Sequence, residues 1–106
     1  MSTTQIDGVS VQTQANVYFD GQCVSHTLNC ADGTRKSVGV ILPGRDLTFN
    51  TAAPEIMECV AGSAEYRLGG SSKWVRVAAG DAFKVGANSM FDIRVQEPFH
   101  YICHFG

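Results

Sequence analysis

The stretch that decides the fold is "TFNTAAPEIMECVAG", which covers residues 48–62. Two strand-like runs, "TFNT" and "EIMECVA", stand on either side of "AAP", and the second run ends at Gly62. Proline and glycine mark turns, so the stretch predicts two strands with a short connection. Side chains alternate across a strand, so Phe49 and Thr51 share a face, while Glu55 opens the second strand. The junction of these strands is therefore the first candidate for a site.

Similar runs recur along the rest of the chain about every 8–12 residues, a spacing typical of sandwiches and barrels. Turn signals such as Asp20-Gly21 and Pro43-Gly44 separate them, and most of the eleven glycines lie between runs. No long window follows the helical period. We expect an all-β single domain, a closed or nearly closed jelly-roll barrel of roughly eight to ten strands over residues 14–106. Residues 1–13 form a polar leader that frays or adds an edge strand.

Composition and charge exclude several classes of function. Charged residues are 17% of the 106 and the net charge is −2, so non-specific binding to nucleic acid is not expected. No apolar run reaches the ~20 residues of a membrane span, and the N-terminus lacks a signal pattern. The four cysteines lack CxxC spacing, and we expect reduced thiols in a soluble, cytoplasmic protein. Those cysteines are Cys23, Cys30, Cys59 and Cys103.

Five segments, in order and at their spacing, resemble one family. They are "VYFDGQ", "RKSVGV", "TFNTAAPEIMECVAG", "AGDAFKV" and "QEPFHYICHF". Together they resemble the small single-domain bacterial cupins of the pyrimidine/purine nucleoside phosphorylase family, over about residues 14–106. The resemblance implies a cupin-type jelly-roll β-barrel. It also implies conversion of a purine or pyrimidine nucleoside and phosphate to free base and ribose 1-phosphate. A homodimer is the fold-level expectation, since two-fold assembly is the commonest closed form.

The residues at the metal-ligand places of a cupin point away from a metal site. A metal cupin brings two histidines ahead of the glutamate and a further histidine at the start of a later strand. Here those places hold Phe49, Thr51 and Phe91, so Glu55 is the one ligand-type residue left. These aromatic and hydroxyl groups, with Glu55, suit a sugar that carries a base better than they suit a metal.

The two histidines of "HYICH" do not restore a metal site. His100 and His104 are four residues apart, which on a strand is about 13 Å. Zinc requires each ligand nitrogen within about 2.1 Å, so this pair cannot chelate by itself. We expect no metal and no cofactor.

Phosphorolysis defines what the site must do. Phosphate is the nucleophile, and the bond to the base breaks through an oxocarbenium-like state. We interpret Glu55 as the catalytic group that stabilises positive charge at C1′ and binds ribose hydroxyls; the alternative is a salt-bridged carboxylate at a strand end. The candidates for substrate binding are Phe49, Thr51, Met57, Phe91 and Tyr101. For the two phenylalanines the alternative is plain core packing, and for Thr51 it is a turn-supporting hydroxyl.

Three residues are candidates for phosphate binding: Arg35, Lys36 and His104. Arg35 and Lys36 precede "SVGV" within the family-like stretch. The resemblance implies an arginine at the place of His104, and a histidine there weakens the contact or makes it pH-dependent. By alternation, Tyr101 reaches the pocket when His104 does not.

Two rival functions stay open at this point. One is a non-catalytic cupin that binds a small ligand, and the other is a metal-dependent cupin oxygenase or isomerase. The expected partners of the phosphorylase are nucleosides and inorganic phosphate, with no nucleic acid and no membrane.

Overall fold

Short antiparallel strands make up most of the chain in a computed structural model that describes residues 3–106. Met1 and Ser2 of the predicted leader lie outside the described residues. The described part has eleven strands, and one 3₁₀ turn at Phe19–Gly21. The strands are β1 Val9–Val11, β2 Asn16–Tyr18, β3 Cys23–Cys30, β4 Arg35–Ile41, β5 Leu47–Asn50, β6 Glu55–Ala61, β7 Ser63–Leu68, β8 Val75–Ala78, β9 Ala82–Val85, β10 Met90–Arg94 and β11 Phe99–Phe105. The predicted all-β fold is confirmed.

The strands form two sheets that face each other across the core. The larger sheet has seven strands in the order β1-β3-β4-β11-β6-β9, with β2 also paired to β3. The smaller sheet has four strands in the order β5-β10-β7-β8. Within the described residues the hydrogen bonds do not run around a closed ring, so the jelly roll is an open barrel. Antiparallel sheets of this kind bury one face and leave the other toward solvent or a partner.

The core lies between the inner faces, and residue alternation decides which side chains reach it. Phe91, Phe99 and Ile93 are fully buried. Arg94 follows Ile93 and points outward, where its Nε lies 3.0 Å from Glu65 Oε1. All four cysteines are free, and three of them are buried. Their buried thiols pack as small apolar groups in the core.

The predicted leader is part of the sheet in this structure. β1 pairs with the last residues of β3, with Val9 opposite Cys30. Closer to the N-terminus, Thr3 Oγ1 donates a hydrogen bond of 2.6 Å to Glu58 Oε2. The N-terminal segment therefore lies along the outer face of the larger sheet, the side turned away from the core. The domain boundary at residue 13 stays a prediction.

Membrane crossing by a helix has no support in this fold. Within residues 3–106, no helix has the length and apolar character that a membrane span requires.

The last residue of the opening stretch fixes the turn between β6 and β7. Gly62 has a φ of +80°, and a Cβ added there would clash with the carbonyl oxygen of Pro98. A left-handed backbone and a close approach to another backbone both require glycine at this position. This turn brings the end of β6 against the start of β11.

We expect Gly62→Ala to lower the free energy of unfolding by about 3 kcal/mol or more, because backbone strain and a clash add. Gly33→Ala is the matched control, since Gly33 has a φ of +87° with nothing within 4 Å of its added Cβ. That control carries the backbone strain alone, about 1–2 kcal/mol. Urea denaturation of both variants measures the difference, and equal losses would contradict the contact with Pro98.

Candidate active site

A cavity of about 160 Å³ opens between the two sheets beside the start of β6. Its floor is made of buried residues: Ser25, Ser37, Met57, Phe91, Tyr101 and Cys103. Its rim is more exposed and consists of Tyr18, Phe49, Asn50, Glu55 and Phe105. Five of the residues selected from the sequence therefore meet here, namely Phe49, Glu55, Met57, Phe91 and Tyr101. Their functional roles stay predictions.

Glu55 is a half-buried carboxylate held against a thiol. β6 and β11 are neighbours in the sheet, which places Cys103 Sγ 3.5 Å from Glu55 Oε1. Burial raises the pKa of the Glu55 carboxyl, and the hydrogen bond from Cys103 opposes part of that rise. Burial, and then the Glu55 charge, raise the pKa of the Cys103 thiol far above its ordinary value. The thiol therefore stays protonated and donates to the carboxylate.

Tyr101 crosses the floor of the cavity because β4 has a glycine beneath its ring. A Cβ added at Gly39 would lie 2.8 Å from the Tyr101 hydroxyl and 2.8 Å from Ser25 Cβ. The open space lets that hydroxyl reach Cys23 Sγ at 3.4 Å. Burial raises the pKa of the Tyr101 hydroxyl. It is thus a neutral hydrogen-bonding group at any physiological pH.

An aromatic wall runs from Phe91, on the floor of the cavity, to Phe49, at its rim. Phe49 on β5 pairs with Phe91 on β10, and their rings stack with centroids 5.4 Å apart. Tyr18 and Phe19 meet the Phe49 ring edge-on, at 6.4 Å and 5.3 Å. Phe83 packs edge-on behind Phe91 at 5.5 Å. Aromatic rings in these arrangements form a stiff wall.

Arg35 brings positive charge to the rim. It precedes Ser37 by two residues on β4, so both side chains belong to the cavity face. Its guanidinium carbon lies 4.7 Å from the centre of the Phe105 ring, a cation–π contact. Phe105 in turn pairs with Glu55 across β11 and β6. Arg35 does not itself line the cavity. It lies beside the rim residue Phe105, on the strand that flanks β11 on the side away from β6 and Glu55.

Thr51 lies outside the cavity and supports a turn. Its hydroxyl donates to the carbonyl oxygen of Gly86 at 2.6 Å and accepts from the Ser89 amide at 3.0 Å. β5 ends at Asn50, so the strand alternation that groups Thr51 with Phe49 does not continue through it.

His104 and Lys36 face the other side of the larger sheet. His104 Nε2 donates to Glu58 Oε1 at 2.9 Å, and Lys36 is its neighbour across β4 and β11. The hydrogen bonds from Thr3 and His104 lower the pKa of Glu58. As alternation predicts, Tyr101 reaches the cavity and His104 does not. The structure does not bring His104 or Lys36 to the cavity.

Sequence reasoning missed six lining residues: Tyr18, Ser25, Ser37, Asn50, Cys103 and Phe105. A signal existed for two of them. Ser37 shares its strand face with buried Ile41, and Ser25 shares one with buried Cys23, so two small polar residues stand at core-facing positions. Inward hydroxyls in an otherwise apolar pattern are a sign of a pocket.

The donor set of the cavity does not fit a metal. In the described part of the chain, no group of three or more His, Cys, Asp or Glu side chains is placed to hold one. Glu55 is accompanied by a protonated thiol, whereas structural and catalytic zinc sites use three or four ligands.

Comparison with known proteins agrees with the family resemblance found in the sequence. The sequence profile of the family described as "Pyrimidine/purine nucleoside phosphorylase" matches residues 13–105. The chain is 67% identical to the pyrimidine/purine nucleoside phosphorylase of Acidovorax sp. (strain JS42), over 100% of both chains.

Solved structures support the same fold. A protein of unknown function from Acinetobacter sp. ADP1 superposes with a TM-score of 0.96 at 42% identity, covering 98% of this chain and 100% of that one. A cupin superfamily protein from Desulfitobacterium hafniense gives a TM-score of 0.64 at 15% identity, covering 87% and 82%. The second likeness concerns the fold alone, and it confirms the predicted cupin-type fold.

Proposed function

Since the chain belongs to the pyrimidine/purine nucleoside phosphorylase family, we propose that it is an enzyme that converts a nucleoside and phosphate to free base and ribose 1-phosphate. This reaction transfers a pentosyl group from the base to phosphate. The observation that supports it most directly is the half-buried Glu55 carboxylate, which borders a cavity with an aromatic wall and a hydroxyl-bearing floor. Family membership favours this reaction over a non-catalytic binding cupin and over a metal-dependent oxygenase or isomerase.

Glu55 supplies negative charge where the reaction develops positive charge. The bond between C1′ and the base nitrogen breaks, and its electron pair leaves with the base, which takes up the proton that phosphate loses on bonding to C1′. The sugar ring becomes cationic before the bond from phosphate oxygen to C1′ is complete. A fixed carboxylate in a site with little water stabilises that cation strongly, because the low local dielectric screens it poorly.

The floor of the cavity suits a sugar. Ser25, Ser37 and Tyr101 present neutral hydroxyls that donate to or accept from ribose hydroxyls. Met57 and Phe91 provide apolar contact for the ring carbons. With the sugar on the floor, the base lies toward the aromatic wall headed by Phe49, where stacking is tolerant of base identity. This arrangement fits broad acceptance of purines and pyrimidines.

Arg35 is the residue that we assign to phosphate. Arg35 on β4 and Glu55 on β6 lie on the strands that flank β11 and its Phe105, so a phosphate bound by the guanidinium would approach the sugar from the side opposite the aromatic wall. Guanidinium groups bind phosphate through paired hydrogen bonds. Because Lys36 and His104 face away from the cavity and Thr51 supports a turn, they have no part in this proposal.

Phosphate dependence is the experiment that tests the proposed reaction. Chelator-treated protein is incubated with uridine or adenosine, in phosphate buffer and in phosphate-free buffer, and free base is measured by chromatography. We expect base release only with phosphate, with ribose 1-phosphate formed in equal amount. Absence of base from every nucleoside would contradict the proposal and favour the binding cupin. Activity that chelation abolishes and a divalent metal restores would favour the metal-dependent rival.

Replacing Glu55 separates a catalytic role from a structural one. We expect Glu55→Gln to lower kcat about 10²- to 10³-fold, as for the loss of one electrostatic stabiliser. Glu58→Gln is the matched control, because it is the same change on the same strand but on the opposite sheet face, and it should leave kcat unchanged. An equal loss of kcat in both variants would mean that the role of Glu55 is structural. A loss of kcat in Glu55→Gln that matches its fraction of unfolded protein would mean the same.

Stability and pH dependence should follow the raised pKa of Glu55. The folded state holds this proton to higher pH than the unfolded state, so stability falls as pH rises from 4.5, the usual value, through the raised pKa. Glu55→Gln should therefore be as stable as wild type at neutral pH, or more stable. Over the same window kcat/KM should rise with pH as the carboxylate forms. A lower melting temperature for Glu55→Gln than for wild type at neutral pH would contradict this account.

We also propose a homodimer that works in the cytoplasm. The outer face of the larger sheet exposes apolar side chains, with Ile56 40% and Val11 54% accessible, and a second copy is the commonest cover for such a face. The free thiols fit a reducing compartment. Sedimentation should give twice the chain mass of 11.4 kDa, and a monomer of that mass at micromolar concentration would contradict the dimer.

A further inference from the structure

The turn between β2 and β3, residues 19–21, has a strained backbone. Phe19 has a φ of +53° and Asp20 a φ of +56°. Asn88 is the one other non-glycine residue with positive φ within residues 3–106. A bulky side chain such as phenylalanine is rare in this left-handed region, because its Cβ crowds the neighbouring carbonyl. Backbone strain of this kind persists only where surrounding contacts impose it.

Gln22, the residue after the turn, connects the turn by hydrogen bonds to the loop between β4 and β5. The Gln22 amide donates to the carbonyl of Phe19 at 3.2 Å, and the Leu42 amide donates to the carbonyl of Gln22 at 2.7 Å. The side chain of Gln22 donates to the carbonyl of Arg45 at 2.7 Å. The Phe19 ring packs on the core beside Phe49. The turn is therefore held firmly, and it fixes the position of Tyr18 immediately before it.

The size of the cavity determines where a nucleobase must lie. The cavity volume is about 160 Å³, whereas pockets that enclose a whole small-molecule ligand are roughly 300–1,000 Å³. A nucleoside therefore enters only in part. The hydroxyl-bearing floor and Glu55 suit the sugar, so the base stays at the rim. There Tyr18 is 45% exposed, and its ring stands edge-on to that of Phe49, with centroids 6.4 Å apart.

We propose that Tyr18 is a substrate-binding residue that stacks against the nucleobase at the cavity rim, and that the strained turn holds its ring in place. The proposal rests on the function proposed above and assigns the base to an outer, aromatic subsite. An open rim accepts one-ring and two-ring bases, because every base has a flat face to stack. A purine covers more of the tyrosine ring than a pyrimidine does, so Tyr18 should contribute more to purine binding.

The test compares KM and kcat at saturating phosphate for adenosine and uridine. Stacking on one aromatic side chain contributes enough that Tyr18→Ala should raise the KM for adenosine at least about tenfold, with a smaller rise for uridine and little change in kcat. Tyr18→Phe keeps the ring and should keep the KM within about twofold. Val17→Ala is the control: Val17 is on the same strand, 63% exposed, and points away from the cavity.

Tyr18→Leu is the second variant, because it keeps the bulk of the side chain without an aromatic face and should also raise the KM. Melting temperatures confirm that each variant is folded. An unchanged KM in folded Tyr18→Ala and Tyr18→Leu would overturn the proposal, and so would an equal rise in Tyr18→Phe. If wild type cleaves adenosine and the variants match it, the Tyr18 proposal alone fails. If wild type neither binds adenosine or uridine by calorimetry nor cleaves either of them, the proposed function fails as well.

Discussion

The partial burial of one carboxylate is the constraint on which the rest of the site depends. Glu55 lies where β6 begins, with its carboxylate 3.5 Å from the Cys103 thiol on the neighbouring strand. Burial disfavours the charged form and raises its pKa, so the fold loses stability to keep this group in place at neutral pH. Such a cost is typical of functional groups, because a charge in a poorly screened site interacts strongly with an opposite charge that forms during a reaction.

Alternation along the strands of the larger sheet separates two different surfaces. On the inner side, Glu55 and Tyr101 face the cavity. On the outer side, Glu58 accepts hydrogen bonds from His104 and from Thr3 of the N-terminal segment. Residues three apart on one strand, such as Tyr101 and His104, therefore lie on different faces of the sheet and have different neighbours. The resemblance implies an arginine at the place of His104, and that position in the sequence does not by itself show which face of the sheet the side chain occupies.

Strand positions and faces followed from the sequence because they depend on local signals. Turn residues such as Pro43-Gly44 marked the ends of strands, and alternation placed Tyr101 and His104 on opposite faces. The count of eleven strands exceeds the expected eight to ten, since the leader adds β1. The contact between Glu55 and Cys103 could not be predicted, because it depends on pairing between strands 48 residues apart. The role of Tyr18 at the rim could not be predicted either. Its position depends on the turn that follows it, in which Phe19 and Asp20 adopt a left-handed backbone that is usual only for glycine.

The central claim is that Glu55 recognises positive charge on the sugar. The most direct measurement is the affinity of wild type and Glu55→Gln for a cationic ribose mimic, a ring in which a protonated nitrogen replaces the ring oxygen, against the neutral sugar. Wild type should bind the cation at least about tenfold more tightly, a difference of about 1.4 kcal/mol, and Glu55→Gln should lose that preference. A preference that persists in Glu55→Gln, or one that wild type does not show, would contradict the account.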